Sequence, residues 1–456
     1  MHGQVIARAY ELSSGWISRR KAVHEDSEAP CQHSEAALHR LLKGRGCYDG
    51  ATAPNNLAPC CLPRISLPES LESAPDLIER VPPDALPFLQ GDHERMLRSE
   101  ADREAIANSG SLVTPYLDPM LRRNRRVLVR LVKRLLRIKL FRVTLRPRGR
   151  VGLFFVHKSK GGKIRLILDC RPSNQMFRPP PGTPLATVES LCSIEMEVAA
   201  DEGITLFLGI SDIDNCFHRL RLPVTLSDWF CLVPTFTARE LGIVGEVING
   251  ITLGPDHVVS VASAMAPMGF SWSLYFAQRT SEHIFAASLG RDSTLFNDMS
   301  APLVLDPRPE ARHRSSHYVY VDNLGLLSFD DTLVRTKLSK TVTDFTQAGF
   351  ELHEISAVTG EREALGTVLD CTGFHSRPTT KRFWNLRMAI SGFLRRRRAT
   401  GAVLEVLLGH ATFAGLANRW TLSVFHLVYK FCRAHYYVAA PIWDGVRQEL
   451  YAFRAS

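Results

Sequence analysis

The spacing of apolar residues changes several times along the 456-residue chain, and each change marks a different kind of element. From residue 1 to about 65 Ala, Ser, Gly, Pro and His dominate without a sustained period, which predicts poor order or weak helicity. From 66 to 115 short helical stretches alternate with Pro82–Pro83 and Pro87, and Asp92 to Ala107 is charged and helix-favouring. Over Leu121 to Phe141 the residues Val127, Leu128, Leu131, Leu135, Ile138 and Phe141 form one stripe at helical spacing, predicting a single amphipathic helix.

The period then shortens. Val151–His157 and Ile164–Asp169 are β-branched or aromatic runs around Lys158–Lys163, with Gly161–Gly162 at the centre, a hairpin pattern. Leu206–Asp212 and Ser316–Asp322 read as short buried strands, each ending in an aspartate. Between them lie a strand-rich stretch (229–252) and a helix from Ser271 to about Leu289. A strand (324–329), a helix (331–348), a strand (364–370) and helices over 380–398, 402–418 and 420–438 follow. There are no internal repeats. Strand–helix–strand alternation with acids at strand ends predicts an α+β fold rather than a doubly wound sheet.

Charge sharpens this picture. The net charge of +10 is concentrated, because Arg122 to Arg150 holds 13 Lys/Arg and no Asp or Glu. A stretch of that sign suits a phosphate backbone, with an anionic membrane surface or a merely solvated basic face as the alternatives. Arg125 and Arg126 are its candidate nucleic-acid contacts. The ten cysteines include no CxxC pair, and Cys31, His33, His39 and Cys47 match no common zinc-finger spacing. With no apolar signal core and no run long enough to span a bilayer, the expectation is an intracellular protein, nuclear or cytoplasmic, without membrane association.

Two aspartates ending adjacent strands, Asp212 and Asp322, would repel each other unless a divalent cation lay between them. Such a pair is what two-metal phosphoryl transfer requires. Either aspartate alone reads better as a solvated strand end, so the surrounding residues decide. These are Ser211-Asp212-Ile213-Asp214-Asn215-Cys216-Phe217, Tyr318-Val319-Tyr320-Val321-Asp322-Asn323-Leu324, Ala266-Pro267-Met268-Gly269-Phe270-Ser271-Trp272-Ser273, and Lys163 to Asn174 upstream.

In that order, over roughly residues 150 to 435, these motifs resemble the fingers and palm of reverse transcriptases, especially those of retrotransposons. The resemblance implies a right-hand polymerase: a basic helical segment (111–150) after the N-terminal 1–110, a fingers hairpin (151–200), a palm (201–375), and a helical thumb and tail (376–456). It implies Asp212 and Asp322 as ligands of Mg²⁺ (or Mn²⁺), with Asn323 in the position of the second aspartate of the Tyr-x-Asp-Asp turn. Lys158 and Arg165 match the cations that grip an incoming triphosphate, one a point charge and one a planar fork. Phe217 matches the bulky gate that excludes a ribose 2′-hydroxyl. Met268 and Gly269, with Pro267 and Ser273, match the motif beside the nascent base pair. Gly349-Phe350-Glu351-Leu352-His353-Glu354 and Leu365-Gly366 resemble the following segments, and Leu408 to Phe413 with Arg419 to Ser423 resembles the thumb. Arg395 and Arg396, in the run Arg395–Arg398, are implied duplex contacts.

The implied activity is RNA-directed DNA polymerisation from deoxynucleoside triphosphates on a primed RNA or DNA template. The oligomeric state is left open. Three departures support an alternative, a nucleic-acid-binding protein that keeps the fold without catalysis: Asn323 lacks a charge, Met268 stands for the usual Gln, and no Lys occurs over 355–358. His353 could substitute for that Lys as an acid at neutral pH, the other reading being an ordinary half-buried histidine. An RNA-templated RNA polymerase is disfavoured by Phe217. The residues after the thumb-like helices are too few for a ribonuclease H or integrase domain, and no CCHC knuckle is present.

Overall fold

Two large β-sheets, three smaller ones and a C-terminal helical cluster organise the described residues of this computed structural model, which are 33–43, 57–158, 162–195, 199, 203–311, 313–373 and 375–455. The expectation of poor order over 1–32 and 44–56 lies outside those residues, as do Cys31, Cys47 and Gly161.

The first sheet has the strand order Phe141–Thr144, Val258–Ser263, Cys231–Leu232, Arg150–His157, Ile164–Asp169, and Phe236–Thr237 also pairs with Val258–Ser263. Its last two strands form the hairpin that the β-branched runs predict, in antiparallel register from Gly152↔Asp169 to His157↔Ile164. The basic segment departs from its expected form. Asn124 leaves helical geometry, and its side-chain oxygen accepts from the Val127 N–H, so Pro119–Arg123 and Arg125–Arg137 are separate helices. The chain turns at Lys139, whose φ is 64°, and Phe141 opens a strand instead of ending the helix. The stripe itself is packed inward, with Leu128, Leu131 and Leu135 buried, and Val132 beside it is buried too.

Residues 57–97 are woven into the core, contrary to the expectation of weak order, whereas the helix Glu100–Asn108 buries none of its residues. Leu71, Leu77, Ala85, Leu89 and Met96 are all buried there. Isolated bridges tie this stretch to the hairpin at Leu57↔Val156 and Ile65↔Ile164. Burying one such Leu or Met side chain stabilises by about 1.5–3 kcal/mol, enough to hold a segment whose own propensity is weak.

The second sheet has the order Ser293–Leu295, Ser315–Tyr320, Asn323–Ser328, Phe207–Ile213, Leu352–Val358. All neighbours are antiparallel except the first pair. The buried helix Ser271–Leu289 and the helix Asp331–Gln347 lie against it. Gly209 permits the second approach, since a Cβ there would come 2.8 Å from Leu338 Cδ1.

Beyond a three-stranded sheet (Glu361–Ala364, Thr367–Asp370, His375–Pro378), the helices Thr380–Leu394, Gly401–Gly415, His426–Ala434 and Asp444–Ala455 share one core. The helix expected over 420–438 is shorter, because Arg419–Val424 is a 3-10 turn. Glu449 reaches from the last helix to accept from the Leu427 and Val428 N–H groups at 2.8 Å each, capping that shorter helix with a negative charge. The helix Ser34–Lys43 completes the cluster with Ala37 and Leu38 fully buried.

Candidate active site

Asp212 occupies the penultimate position of the Phe207–Ile213 strand, in register with Asn323 on one side and His353 on the other. Asp322 sits in the two-residue turn that joins Tyr320 to Asn323, not at a strand end as the sequence suggests. Its carbonyl accepts from the Ile213 N–H at 2.8 Å, which holds the turn beside the Asp212 strand. The Asn323 amide donates to Asp322 Oδ1 at 3.0 Å, and His353 Nε2 lies 3.5 Å from Asp212 Oδ1.

The charge of Asp322 reaches Asp212. Burial, then the charge of Asp322, pushes Asp212 up to about 6, against the pull of His353. Burial also raises Asp322, with its own backbone N–H, Asn323 and Arg165 acting in the opposite sense. A concentrated, half-buried acidic pair of this kind is relieved by a cation. Among the described residues no group of three or more His, Cys, Asp or Glu forms a ligand set. The donors on offer are therefore the two carboxylates and the Asn323 carboxamide, and an oxygen set of this kind suits Mg²⁺, which keeps several of its own waters.

The hairpin of the first sheet faces this pair. Arg165 is close enough to stabilise ionised Asp322. Burial and the neighbouring Arg165 and Lys163 lower the pKa of Lys158, while Asp214 opposes them. Lys158 Nζ donates to Ser66 Oγ at 2.9 Å. Phe217 lies half-buried on a short 3-10 turn that starts after Asn215, whose φ of 50° redirects the chain past Asp212. Gly269, with φ 115°, packs where a Cβ would come 2.5 Å from the Leu168 carbonyl, so the loop lies against the hairpin strand. Asn174 fastens that loop at both ends, donating to the Gly269 carbonyl at 2.8 Å and accepting from the Ser271 N–H at 3.0 Å. Met268 is half-buried beside it.

The expected nucleic-acid contacts are dispersed. Arg125 is engaged within the fold: its guanidinium donates twice to Glu240, at 2.8 Å each, and to the Thr235 carbonyl, and it lies over the Phe236 ring. Arg396 donates to Glu35 of the N-terminal helix, whereas Arg126 and Arg395 are exposed. None of this is evident from the run of positive charge, because Glu240 is 115 residues away.

One supporting residue escapes sequence reasoning altogether. Gln278, 1 % exposed inside the helix Ser271–Leu289, accepts from the Val321 N–H at 2.7 Å and donates to the Val319 carbonyl at 3.0 Å. It grips the turn that carries Asp322. Val321 has φ 60°, a conformation that costs a β-branched residue about 1–3 kcal/mol and persists only where the surroundings enforce it.

The geometry has counterparts among solved structures. A foamy viral protease-reverse transcriptase in complex with double-stranded DNA aligns over 83 % of this chain and 58 % of its own, with 13 % identity and a TM-score of 0.50. The fold is reverse-transcriptase-like. Two further foamy viral protease-reverse transcriptase structures, one with double-stranded DNA and one with an RNA/DNA hybrid, align at TM-scores of 0.47 and 0.46, each with 13 % identity and 75 % of this chain covered. They are themselves covered over 60 % and 38 % of their lengths. The chain thus spans less than two thirds of each of these structures. No family model matches it, and no curated protein matches it. Among the described residues no helix is long and apolar enough to cross a membrane.

Proposed function

We propose that this chain is the polymerase unit of a reverse transcriptase of retrotransposon type, adding deoxynucleotides to a primer 3′ end on an RNA or DNA template. The observation that carries the proposal is the meeting of Asp212 and Asp322 at adjoining points of the second sheet, with Arg165 of the first sheet close enough to Asp322 to favour its ionised form. On this reading the first sheet's hairpin acts as fingers, the second sheet as palm and the helical cluster as thumb, with Arg395 on its surface. Asp212 and Asp322 would hold Mg²⁺ or Mn²⁺, which when bound lowers the pKa of the attacking hydroxyl and steadies the departing pyrophosphate. The chain's own part is to place Lys158 and Arg165 against the triphosphate and to exclude the ribose 2′-hydroxyl with Phe217.

Primer extension on an RNA template with Mg²⁺ or Mn²⁺ tests this. If the protein shifts primer–template duplex yet gives no product, the second reading holds: a nucleic-acid-binding protein without catalysis. One observation favours that reading. The Asn323 amide presents a donor to Asp322 where a carboxylate would present a charge. Asn323→Asp therefore raises extension, most at low Mg²⁺, by about tenfold if the added charge contributes about 1.4 kcal/mol to metal binding. Equal metal dependence in the two proteins would remove Asn323 from the metal argument.

The gate has its own test. Phe217→Ala increases ribonucleotide incorporation relative to deoxynucleotide by one to two orders of magnitude, on the order of 1–3 kcal/mol of discrimination. An unchanged sugar preference, measured as the ratio of kcat/KM values, would show that Phe217 is only a packing residue.

A further inference from the structure

Outside the candidate active site, an open groove of about 840 Å³ lined by six cations runs along the helix Arg125–Arg137. One wall is built by Arg126, Arg130, Lys133 and Arg137, and Leu62–Pro63 supply part of its apolar lining. Arg134 joins the two walls by donating to the Leu62 carbonyl at 2.7 Å. The one acid in the lining is Glu240. Its charge is already answered by Arg125, whose hydrogen bonds hold the Glu240 carboxyl down to about 2.

Arg126, Arg130, Lys133 and Arg137 are exposed and take part in no hydrogen bond or ion pair among the described residues. Four unanswered positive charges on one face repel one another, and the i, i+4 spacing makes that cost felt within the helix. Their positions fall at steps of four, three and four residues, so they form a row about 16 Å long with about 4.5–6 Å between neighbours. A row of this kind matches a ladder of regularly spaced anions rather than one small ion.

We infer that this groove is a second nucleic-acid site, separate from the Asp212–Asp322 pair, that holds the phosphate backbone of a single strand without reading its bases. Phosphates of one strand follow each other at ~3.4 Å of rise when stacked and further apart when unstacked, so a strand can set successive charges against the row. No side chain in the row offers the paired donor and acceptor that would distinguish one base from another. A membrane surface fits poorly on two counts. The apolar face of this helix (Leu128, Leu131, Val132, Leu135) is spent on the protein's own core, leaving nothing to insert. A flat bilayer also does not enter a groove. This site stands whether or not the carboxylate pair is catalytic.

The test is the salt dependence of binding to a fluorescein-labelled single-stranded oligouridylate, read by anisotropy in the full chain. Replacing Arg130, Lys133 and Arg137 by Gln together removes three phosphate contacts and flattens the slope of log K against log salt by about 2. The single variants Arg130→Gln and Lys133→Gln each flatten it by about 0.7, and a thermal melt of each checks that the fold is intact. Arg308→Gln, which removes an exposed cation outside the groove, keeps the full slope, and this ties the effect to the site rather than to net charge. An unchanged slope and affinity in the triple variant would overturn the inference. So would flotation with phosphatidylserine vesicles that the triple variant abolishes while oligouridylate binding stays intact.

Discussion

Asp212→Asn abolishes primer extension and at the same time raises the melting temperature of the metal-free protein at neutral pH. Activity falls by at least three orders of magnitude on the proposed reading, since one of two groups that would hold the metal loses its charge. The gain in stability has a separate cause. Burial and Asp322 push the Asp212 carboxyl up to about 6, so the folded chain binds this proton more tightly than the unfolded chain, where an aspartate titrates near ~3.9. Stability from this group is complete below about pH 4 and is lost as pH rises towards 6. Asparagine carries no such loss.

The gap between variant and wild type is therefore small at pH 4, opens through pH 6 and stays open above it. With a quarter of the side chain exposed to solvent, the plateau is discounted to about 1–2 kcal/mol. The comparison must be a difference between the two proteins. His218 and His317 are buried and held down at about 4, and they destabilise the fold as pH falls over the same window, masking the slope in either protein alone. Scanning fluorimetry in chelator measures the gap, and millimolar Mg²⁺ raises the wild-type melting temperature alone. Equal melting temperatures across the whole range would show that Asp212 carries no electrostatic burden.

Gln278→Ala is the second large effect, and it acts without touching any reacting group. The substitution leaves the Val321 N–H and the Val319 carbonyl buried and unpaired, at about 1–3 kcal/mol each, and opens a void in a helix interior. The turn at Val321 loses the partner that offsets its left-handed backbone. Urea denaturation shows a loss of about 3 kcal/mol or more, and extension by the fraction still folded falls by about 100-fold, since a displacement of ~1 Å is enough for that. Val321→Gly on the Gln278→Ala background restores about 1 kcal/mol of stability, because glycine adopts the positive φ freely, but leaves activity low. If Gln278→Ala extends primers at the wild-type rate once its folded fraction is normalised, Gln278 is a packing residue and not a positioning one.

These two residues also mark how far the sequence could be read. Asp212 lies on a strand one residue displaced from the short buried run Leu206–Asp212, and the hairpin Arg150–Asp169 and the helix Ser271–Leu289 have nearly the extents that period and punctuation predict. Those are local properties. Gln278 is polar in the middle of a helix, where the apolar period places it no differently from a surface residue; only the turn 43 positions later explains its burial. The same holds for Arg125. Its sign suggests an outward role, while its geometry depends on Glu240 and Phe236. Residues 57–97 read as weakly ordered because their stability comes from partners elsewhere in the chain, not from a period of their own.

The helix Ser34–Lys43 fits its neighbours closely: a Cβ on Gly392 would come 2.6 Å from the Ser34 carbonyl. Made early, it has no partner until the ribosome has added more than three hundred further residues. At 5–20 residues per second that interval lasts roughly twenty seconds to a minute. During it, Ala37 and Leu38 are open to chaperones and proteases. A stalled nascent chain ending before Leu386 leaves Ser34–Lys43 open to proteolysis, and release of a chain that includes Thr380–Leu394 closes it.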